Sequence, residues 1–231
     1  MQCIQGDATK PLPLTERARL LCTDPPYCLL TRRRKGGDLR DPKGKKNEGV
    51  RRFEDVREYR AFTEAWLGNV VPHVDGPLIV WTNLLGKGPI RATAQKLGFG
   101  HLRGEYVWAK RTRESNSGEE LLRVVEVALV MTREPAPPPR PEDPALPFSV
   151  VAGYDDDGEA ARWGSHPNHK PFGVLEPLIR TWSRPGELVL DVFAGSGSIP
   201  AAALRLGRRA FCLELDPGWA ARVTWRLRAS S

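Results

Sequence analysis

The stretch Leu188-Val-Leu-Asp-Val-Phe-Ala-Gly-Ser-Gly197, followed at once by Ser198, decides the fold. Its first five residues are apolar except for Asp191 and predict a buried strand. Phe193 to Gly197 predict a tight turn, and a helix is predicted from Ser198. A glycine turn between a strand and a helix lets the backbone approach a ligand closely. We therefore predict a nucleotide- or nucleoside-binding turn, with purely structural glycines as the alternative.

Strand and helix patterns alternate on both sides of this turn. In the segment 57–70, Tyr59, Phe62 and Trp66 recur at the spacing of an amphipathic helix. Such alternation is typical of an α/β fold with a mostly parallel sheet. Strands are predicted at 2–5, 19–23, 77–81, 105–109, 124–131, 187–192 and 209–215, and helices at 57–70, 89–97, 171–182, 198–206 and 217–227.

An acidic residue, Glu214, ends the strand that follows the glycine turn. A carboxylate in this position can accept hydrogen bonds from both hydroxyls of a ribose. The turn reads Gly-x-Gly-x-x-Pro, so it lacks the third glycine that packs a helix over a pyrophosphate. This disfavours a nicotinamide-dependent oxidoreductase and favours a nucleoside ligand without a pyrophosphate. Asp191, at the end of its strand, suits a ligand that carries a cationic amine.

A second motif, Asp24-Pro25-Pro26-Tyr27, follows the predicted strand at 19–23. The two prolines remove two backbone N–H donors and stiffen the loop, while their carbonyls remain as acceptors. Asp24 adds a carboxylate acceptor, and Tyr27 adds a flat apolar face. This combination suits the exocyclic amine of an extruded nucleobase, which needs acceptors for its N–H groups and a ring to stack on. The alternative is a Pro-Pro turn capped by an aspartate.

The net charge of +7 lies in the segment 31–52, where ten basic residues face three acidic ones. The glycines and the proline of this segment do not build a core element. We predict a loop that contacts nucleic acid, because clustered Lys and Arg displace counterions from phosphates. A solvated loop that aids solubility is the alternative. The candidate contacts are Arg32, Arg33, Arg34, Lys35, Lys43, Lys45, Lys46, Arg51 and Arg52.

Length and composition predict one domain spanning residues 1–231, with a semi-rigid connector at 134–147, where seven of fourteen residues are proline. No apolar run approaches a membrane span, and the first residues lack a signal-peptide pattern. Four cysteines without metal-ligand spacing indicate reduced thiols and a cytoplasmic protein. The four histidines show no metal-ligand pattern with cysteines or paired carboxylates, so no metal site is predicted.

Together these motifs resemble the β group of the S-adenosylmethionine-dependent amino-methylating DNA methyltransferases. The resemblance implies a Rossmann-like fold with a mostly parallel seven-stranded sheet, an antiparallel hairpin at one edge and a permuted motif order, with the catalytic motif before the cofactor turn. It rests on Asp24-Pro-Pro-Tyr27, Asp191-Val-Phe-Ala-Gly-Ser-Gly197, His166-Pro-Asn-His-Lys-Pro171, Gln5-Gly-Asp7, and Trp108-Ala-Lys110 with Val124–Val130.

The resemblance implies methyl transfer to the N6 amine of an adenine flipped out of DNA in a bacterium, archaeon or phage. It also implies a homodimer and a cognate restriction endonuclease as partners. Cytosine N4 or RNA as the substrate, or an idle nucleic-acid-binding module, are the alternatives. The implied catalytic residues are Asp24, Pro25, Pro26 and Tyr27, and the implied cofactor residues are Asp7, Ala8, Asp24, His166, Lys170, Pro171, Asp191, Phe193, Gly195, Ser196, Gly197 and Glu214.

This chain departs from the family's pattern at three places: Cys28 stands where Asn is frequent, Val192 where Pro is common, and Asn168-His169 where Thr-Gln is usual. None of these departures removes a reacting group. The segment between the hairpin and His166 is short, so a large target-recognition domain is not expected. DNA contact is therefore assigned to the basic segment 31–52.

Overall fold

The computed structural model describes residues 3–31, 51–111, 125–135, 149–164, 166 and 168–229. Most of the basic segment 31–52 and of the proline-rich segment 134–147 thus lies outside the described residues. Within the described ranges, no helix combines the length and the apolar character needed to cross a bilayer. All four cysteines are buried free thiols.

An eight-stranded sheet forms the centre of the described structure, in the spatial order β1-β8-β7-β2-β3-β5-β4-β6. Neighbouring strands are parallel except at β5, which runs antiparallel to both β3 and β4. The predicted mixed α/β fold is therefore confirmed. The strands are β1 (Cys3–Gln5), β2 (Leu20–Thr23), β3 (Leu78–Thr82), β4 (His101–Arg111), β5 (Val125–Thr132), β6 (Ser149–Gly153), β7 (Leu188–Asp191) and β8 (Arg209–Glu214).

Helices cover both faces of the sheet. Successive residues of β2 point to opposite faces, so Leu21 packs with α1 and α2 while Leu20 and Cys22 pack with α4, α5 and α6. Such a two-sided core explains why the central strands are apolar throughout rather than alternating. The helices are α1 (Val56–Val70), α2 (Lys87–Lys96), α3 (Glu159–Trp163), α4 (Phe172–Trp182), α5 (Ser198–Arg205) and α6 (Pro217–Ala229), with a short 3₁₀ helix at Val71–His73.

The strand count and one edge of the sheet differ from the prediction. Strands β4 and β5 pair antiparallel as expected, but β6 adds an eighth strand outside them, in parallel register with β4 from Val107 opposite Ser149. The hairpin therefore lies inside the sheet rather than at its edge. Strand β6 has only five residues, too few for a clear hydrophobic pattern in the sequence. It forms because it can pair with the free side of β4. The short helix α3 was also not predicted.

The carboxyl ends of the five neighbouring parallel strands β1, β8, β7, β2 and β3 meet at one edge of the sheet. Strand β2 lies beside β7, with Leu20 opposite Val189 and Leu21 opposite Leu190. Asp24 therefore emerges next to the turn that begins at Phe193. Strands β8 and β1 continue the same edge beyond β7. In open α/β sheets, ligands bind in the crevice outside these strand ends.

Gly68 gives a test of the helix assignment of α1. An added Cβ at this position would meet no atom within 4 Å, and alanine loses less backbone entropy than glycine on folding. We expect Gly68→Ala to raise the free energy of unfolding by about 0.5–1 kcal/mol in urea denaturation. The matched control is Gly76→Ala, whose Cβ would lie 1.9 Å from the Arg19 carbonyl oxygen and which should destabilise the protein. Destabilisation by Gly68→Ala would contradict the assignment.

Candidate active site

A cavity of about 570 Å³ opens at the carboxyl edge of the sheet. Its volume is in the range typical of small-molecule sites. Both motifs contribute to its wall, because Tyr27 from the loop after β2 and Gly195 from the turn after β7 line the same space. The predicted site residues that line it are Asp7, Ala8, Asp24, Pro26, Tyr27, Arg51, His166, Lys170, Phe193, Gly195, Ser196 and Glu214.

Five predicted residues in the described part of the chain do not line the cavity: Pro25, Arg52, Pro171, Asp191 and Gly197. Pro171 immediately precedes α4, Asp191 is the buried last residue of β7, and Gly197 precedes α5. They lie directly beside cavity residues in the chain. The predicted contacts Arg32, Arg33, Arg34, Lys35, Lys43, Lys45 and Lys46 lie outside the described residues.

A buried network of charged groups forms one wall of the cavity. The Lys170 Nζ lies 2.5 Å from the Asp24 Oδ2 and 2.9 Å from the Glu126 Oε2. The Tyr27 hydroxyl donates to the Glu126 Oε2 at 2.6 Å. Lys110 forms an ion pair with the other oxygen of Glu126. Two carboxylates and two ammonium groups thus balance in a buried position, where an unpaired charge would be strongly destabilising.

The network sets the protonation of its members. Burial alone would lower the pKa of Lys170, but the carboxylates of Asp24 and Glu126 outweigh it and raise that pKa. Burial opposes ionisation of Glu126, yet Lys170 and Lys110 lower its pKa to about 2. Burial raises the pKa of Asp24, against the attraction of Lys170. Glu126 is therefore a permanent anion, whereas Asp24 binds a proton more readily than an ordinary aspartate.

Asp24 leaves one acceptor atom unused. Its Oδ2 is held by Lys170, but its Oδ1 is buried and has no hydrogen-bond partner among the described residues. Asp24 lines the cavity and is 7% exposed. Buried polar atoms are nearly always hydrogen-bonded, so an exception at a cavity points to a donor that is supplied by a ligand.

The glycine turn approaches its neighbours closely. Gly195 and Gly197 have φ angles of +51° and +77°, which side chains with a Cβ rarely adopt. A Cβ on Gly195 would lie 2.9 Å from the His166 ring, and one on Gly197 would lie 2.8 Å from Val223. The Glu214 carboxylate accepts a hydrogen bond from the Gly195 N–H at 2.7 Å. The turn is therefore fixed by the positive φ angles of its glycines and by its hydrogen bond to Glu214, the residue predicted to bind a ribose.

Apolar and acidic groups share the remaining wall. The Phe193 ring packs edge-on against Trp66 at 5.3 Å and tilted against Phe62 at 6.1 Å. The Asp7 carboxylate also lines the cavity and accepts hydrogen bonds from the N–H and the hydroxyl of Thr9, which lower its pKa. An apolar surface bordered by carboxylates suits a planar base joined to a ribose and a cationic group.

Three residues of the site were missed by the sequence analysis as functional residues. Glu126 and Lys110 complete the buried network, and Phe62 lines the cavity beside Phe193. Glu126 carried one usable signal, since it is the lone charged residue within the apolar stretch 124–130. A buried carboxylate in such a strand requires a cationic partner.

Asp155, Asp157 and His169 bring their ligand atoms within 4.8 Å of one another. The Asp155 carboxylate accepts from the N–H groups of Ala160 and Ala161, and the Asp157 carboxylate accepts from the Phe172 N–H. These contacts cap helices α3 and α4, and they account for the cluster without an ion. The prediction that the chain has no metal site stays a prediction.

Comparison with known proteins gives matches to DNA methylases. The model of a DNA methylase family matches residues 18–221. The type II methyltransferase M.HinfI of Haemophilus influenzae is 27% identical over 253 aligned positions, which cover 98% of this chain and 66% of that protein. The putative methylase YubD of Escherichia coli (strain K12) is 43% identical over 76 residues, which cover 33% of this chain and 32% of that protein. The chain thus spans between a third and two thirds of these relatives.

Solved structures show the same fold. The PvuII DNA methyltransferase (cytosine-N4-specific) superposes with a TM-score of 0.70 at 16% identity, covering 96% of this chain and 84% of that chain. TTHA0409, a putative DNA modification methylase from Thermus thermophilus solved in complex with S-adenosyl-L-methionine, gives a TM-score of 0.60 at 23% identity, covering 98% and 92%. These likenesses confirm the predicted Rossmann-like methyltransferase fold.

The buried Asp191 predicts a pH dependence of stability. Burial raises its pKa from 3.8 to about 7, although its Oδ1 accepts from the Thr23 hydroxyl at 2.8 Å. The native protein therefore keeps this proton until about pH 7, whereas the unfolded chain releases it near pH 4. The native state binds more protons than the unfolded chain in this window, so the free energy of unfolding falls as the pH rises from 4 to 7. The contribution of Asp191 is complete below pH 4 and is lost by about pH 7.

We expect wild-type protein to lose stability relative to Asp191→Asn between pH 4 and 7, by an amount on the order of 4 kcal/mol. Urea denaturation of both proteins across this range measures the difference. Parallel stability curves for the two proteins would show that Asp191 is ionised in the native state and would refute the assignment.

Proposed function

Because this chain belongs to the DNA methylase family, whose model matches residues 18–221, we propose that it transfers the methyl group of S-adenosylmethionine to the exocyclic N6 amine of an adenine in DNA. The target base would leave the helix and enter the cavity at the carboxyl edge of the sheet. The roles assigned below to individual residues are part of this proposal.

One observation carries the proposal: the Asp24 Oδ1 is a buried acceptor without a partner in the described structure, in the cavity that also contains the glycine turn. An exocyclic amine supplies the missing donor. Pro25 lies in the chain between the cavity residues Asp24 and Pro26, and in this proposal its carbonyl accepts the second N–H of the amine. With both N–H groups held, the nitrogen becomes tetrahedral and its lone pair points away from the ring.

The residues around the glycine turn fit S-adenosylmethionine. A Cβ at Gly195 would clash with the His166 ring, which also lines the cavity. The acids Glu214 and Asp7 line the cavity together with the apolar ring of Phe193. Glu214 would accept hydrogen bonds from the ribose hydroxyls, Phe193 would contact the adenine of the donor, and Asp7 would face its exocyclic amine. When bound, the donor would supply an electrophilic methyl carbon on a sulfonium, whose sulfur keeps the electron pair of the broken C–S bond as the methyl group passes to the target nitrogen.

The charged network would act by positioning. Lys170 holds the Oδ2 of Asp24 at 2.5 Å, so the carboxylate cannot rotate and Oδ1 keeps facing the amine. Formation of the N–C bond leaves the nitrogen with one proton too many, and Asp24, with its raised pKa, is placed to take it. Tyr27 would stack on the extruded base while Glu126 holds its hydroxyl. Fixed geometry and preorganised charge would thus provide most of the rate.

Adenine is proposed over cytosine N4 because the motif begins with aspartate. In the family this chain resembles, Asp at that position leans towards adenine and Ser towards cytosine N4. Cytosine N4 is the second candidate, since the same pair of acceptors would serve its amine. DNA is proposed over RNA because the matched family is described as a DNA methylase.

Contact with DNA is assigned to the basic segment. Among the described residues of this segment, Arg51 lines the cavity, and its guanidinium lies 4.1 Å from the centre of the Phe62 ring. In this proposal Arg51 contacts a phosphate of the bound strand. A homodimer and a cognate restriction endonuclease remain predictions from the resemblance.

The proposal is tested by the product and by Asp24→Ala. Wild-type protein, tritiated S-adenosylmethionine and a random-sequence DNA library should yield N6-methyladenine on nucleoside analysis. Asp24→Ala removes the acceptor but leaves the glycine turn intact. We therefore expect transfer to fall by at least about 10³-fold, while the Kd for S-adenosylmethionine in calorimetry changes little.

Two results would contradict the proposal in different ways. If the product were N4-methylcytosine, the target would be cytosine, the second candidate, and not adenine. If Asp24→Ala transferred methyl groups as fast as wild type, Asp24 would not be the acceptor for the amine, whichever base is methylated.

Glu126→Gln tests the positioning network. The substitution keeps the shape but removes the anion shared by Lys170, Lys110 and the Tyr27 hydroxyl. We expect kcat to fall by about 10²-fold, because small misplacements of reacting groups have effects of that size, while the KM for S-adenosylmethionine stays within about threefold. The control is Glu105→Gln, which loses only the half-exposed ion pair with Lys87 at 2.6 Å. An unchanged kcat in folded Glu126→Gln would refute the role.

A further inference from the structure

The turn between β3 and α2 holds two leucines in solvent. Leu84 is 80% exposed and Leu85 is 51% exposed, and Leu84 is the most exposed large apolar side chain in the described part of the chain. Single exposed leucines are ordinary on protein surfaces. Two adjacent exposed leucines at the sheet edge where the cavity opens suggest a surface that contacts a partner.

Hydrogen bonds of the Asn83 side chain hold this turn in place. The Asn83 side-chain amide donates to the Cys28 carbonyl at 3.1 Å, and its oxygen accepts from the Gly86 N–H at 3.0 Å. Gly86 is packed so closely that a Cβ would lie 2.2 Å from the Thr82 hydroxyl oxygen. These contacts hold the backbone of the turn in the position that exposes both leucines.

The anchor also fixes where the leucines stand. Strand β3 is the parallel neighbour of β2, with Thr23 opposite Val80, so its carboxyl end emerges beside Asp24. The bond from Asn83 to Cys28 ties the turn to the residue that directly follows Asp24-Pro-Pro-Tyr27. The exposed Arg91 follows on α2, after Lys87, which is paired with Glu105 at 2.6 Å. The turn thus combines an apolar tip with adjacent positive charge, next to the proposed target-base site.

We propose that Leu84, supported by Leu85, is an apolar wedge that enters the DNA base stack where the target nucleotide leaves it. The inference rests on the proposed function, since a base must be extruded to reach Asp24. Extrusion loses stacking and pairing, and apolar side chains inserted between base steps are a known way for proteins to open a duplex. The exposed Arg91 would neutralise a phosphate beside the gap.

The wedge is tested with Leu84→Ala on two DNA duplexes. Both contain the site that wild-type protein methylates in a random-sequence library, and they differ only in the partner of the target base, which is either its complement or an abasic nucleotide. We expect kcat/KM on the paired duplex to fall about 10-fold or more, and on the abasic duplex to stay within about twofold of wild type. Val151→Ala, which shortens a side chain 69% exposed on β6, is the matched control and should change neither value.

A second readout needs no methyl transfer. In a duplex library in which 2-aminopurine replaces part of the adenine, binding of wild-type protein should raise the fluorescence of the unstacked base, and Leu84→Ala should lose most of that rise. Equal loss of kcat/KM on both duplexes, or no loss on either, would overturn the wedge. Loss that accompanies a change from dimer to monomer in sedimentation would assign the turn to a second copy of the chain and overturn it too. A failed proposed function would appear separately, as wild-type protein that transfers no methyl group.

Discussion

The ammonium group of Lys170 joins three parts of the chain that are far apart in sequence. It lies 2.5 Å from a carboxylate oxygen of Asp24 and 2.9 Å from one of Glu126. These partners come from the loop after β2 and from β5. A buried lysine is stable only if both carboxylates reach it. The network is therefore complete only where β2 and β5 have the positions that they have in this sheet.

The same network pairs its charges but leaves one carboxylate oxygen of the site without a hydrogen bond in the described part of the chain. Where two carboxylates meet two lysines, every charge is paired, yet the geometry leaves the Oδ1 of Asp24 without a donor among the described residues. Asp191 has an unpartnered buried oxygen of the same kind within this part of the chain, at the start of the glycine turn. Unsatisfied groups of this sort reduce stability. Among the buried side-chain atoms without a partner in the described residues, the carboxylate oxygens are those of Asp24 and Asp191, and they stand at the ends of β2 and β7, where a ligand could supply the missing donors.

Local backbone chemistry is what the sequence reveals most readily. The glycine turn and Asp24-Pro25-Pro26-Tyr27 were predictable because prolines and positive-φ glycines restrict the chain whatever surrounds them, and parallel strand ends must share an edge. The partners of Glu126 were not, because they depend on the register of β5 and on Lys170, 44 positions later in the chain. The exposure of Leu84 was equally hidden, since two leucines after the buried strand β3 have the pattern of core residues. Strand β6 depends on the free side of β4, which no local pattern encodes.

The order of strands along the edge gives the two halves of the site different tasks. Strand β2 lies between β7 on one side and β3 on the other. The residues that fit a nucleoside donor follow β7, β8 and β1, whereas the Leu84 turn and the Glu126 strand lie on the β3 side. A ligand that enters from the first side and a base that enters from the second can meet only at the loop after β2. Asp24 lies at that boundary. With the acceptor in this position, each of two large substrates can reach the cavity from its own side without blocking the other.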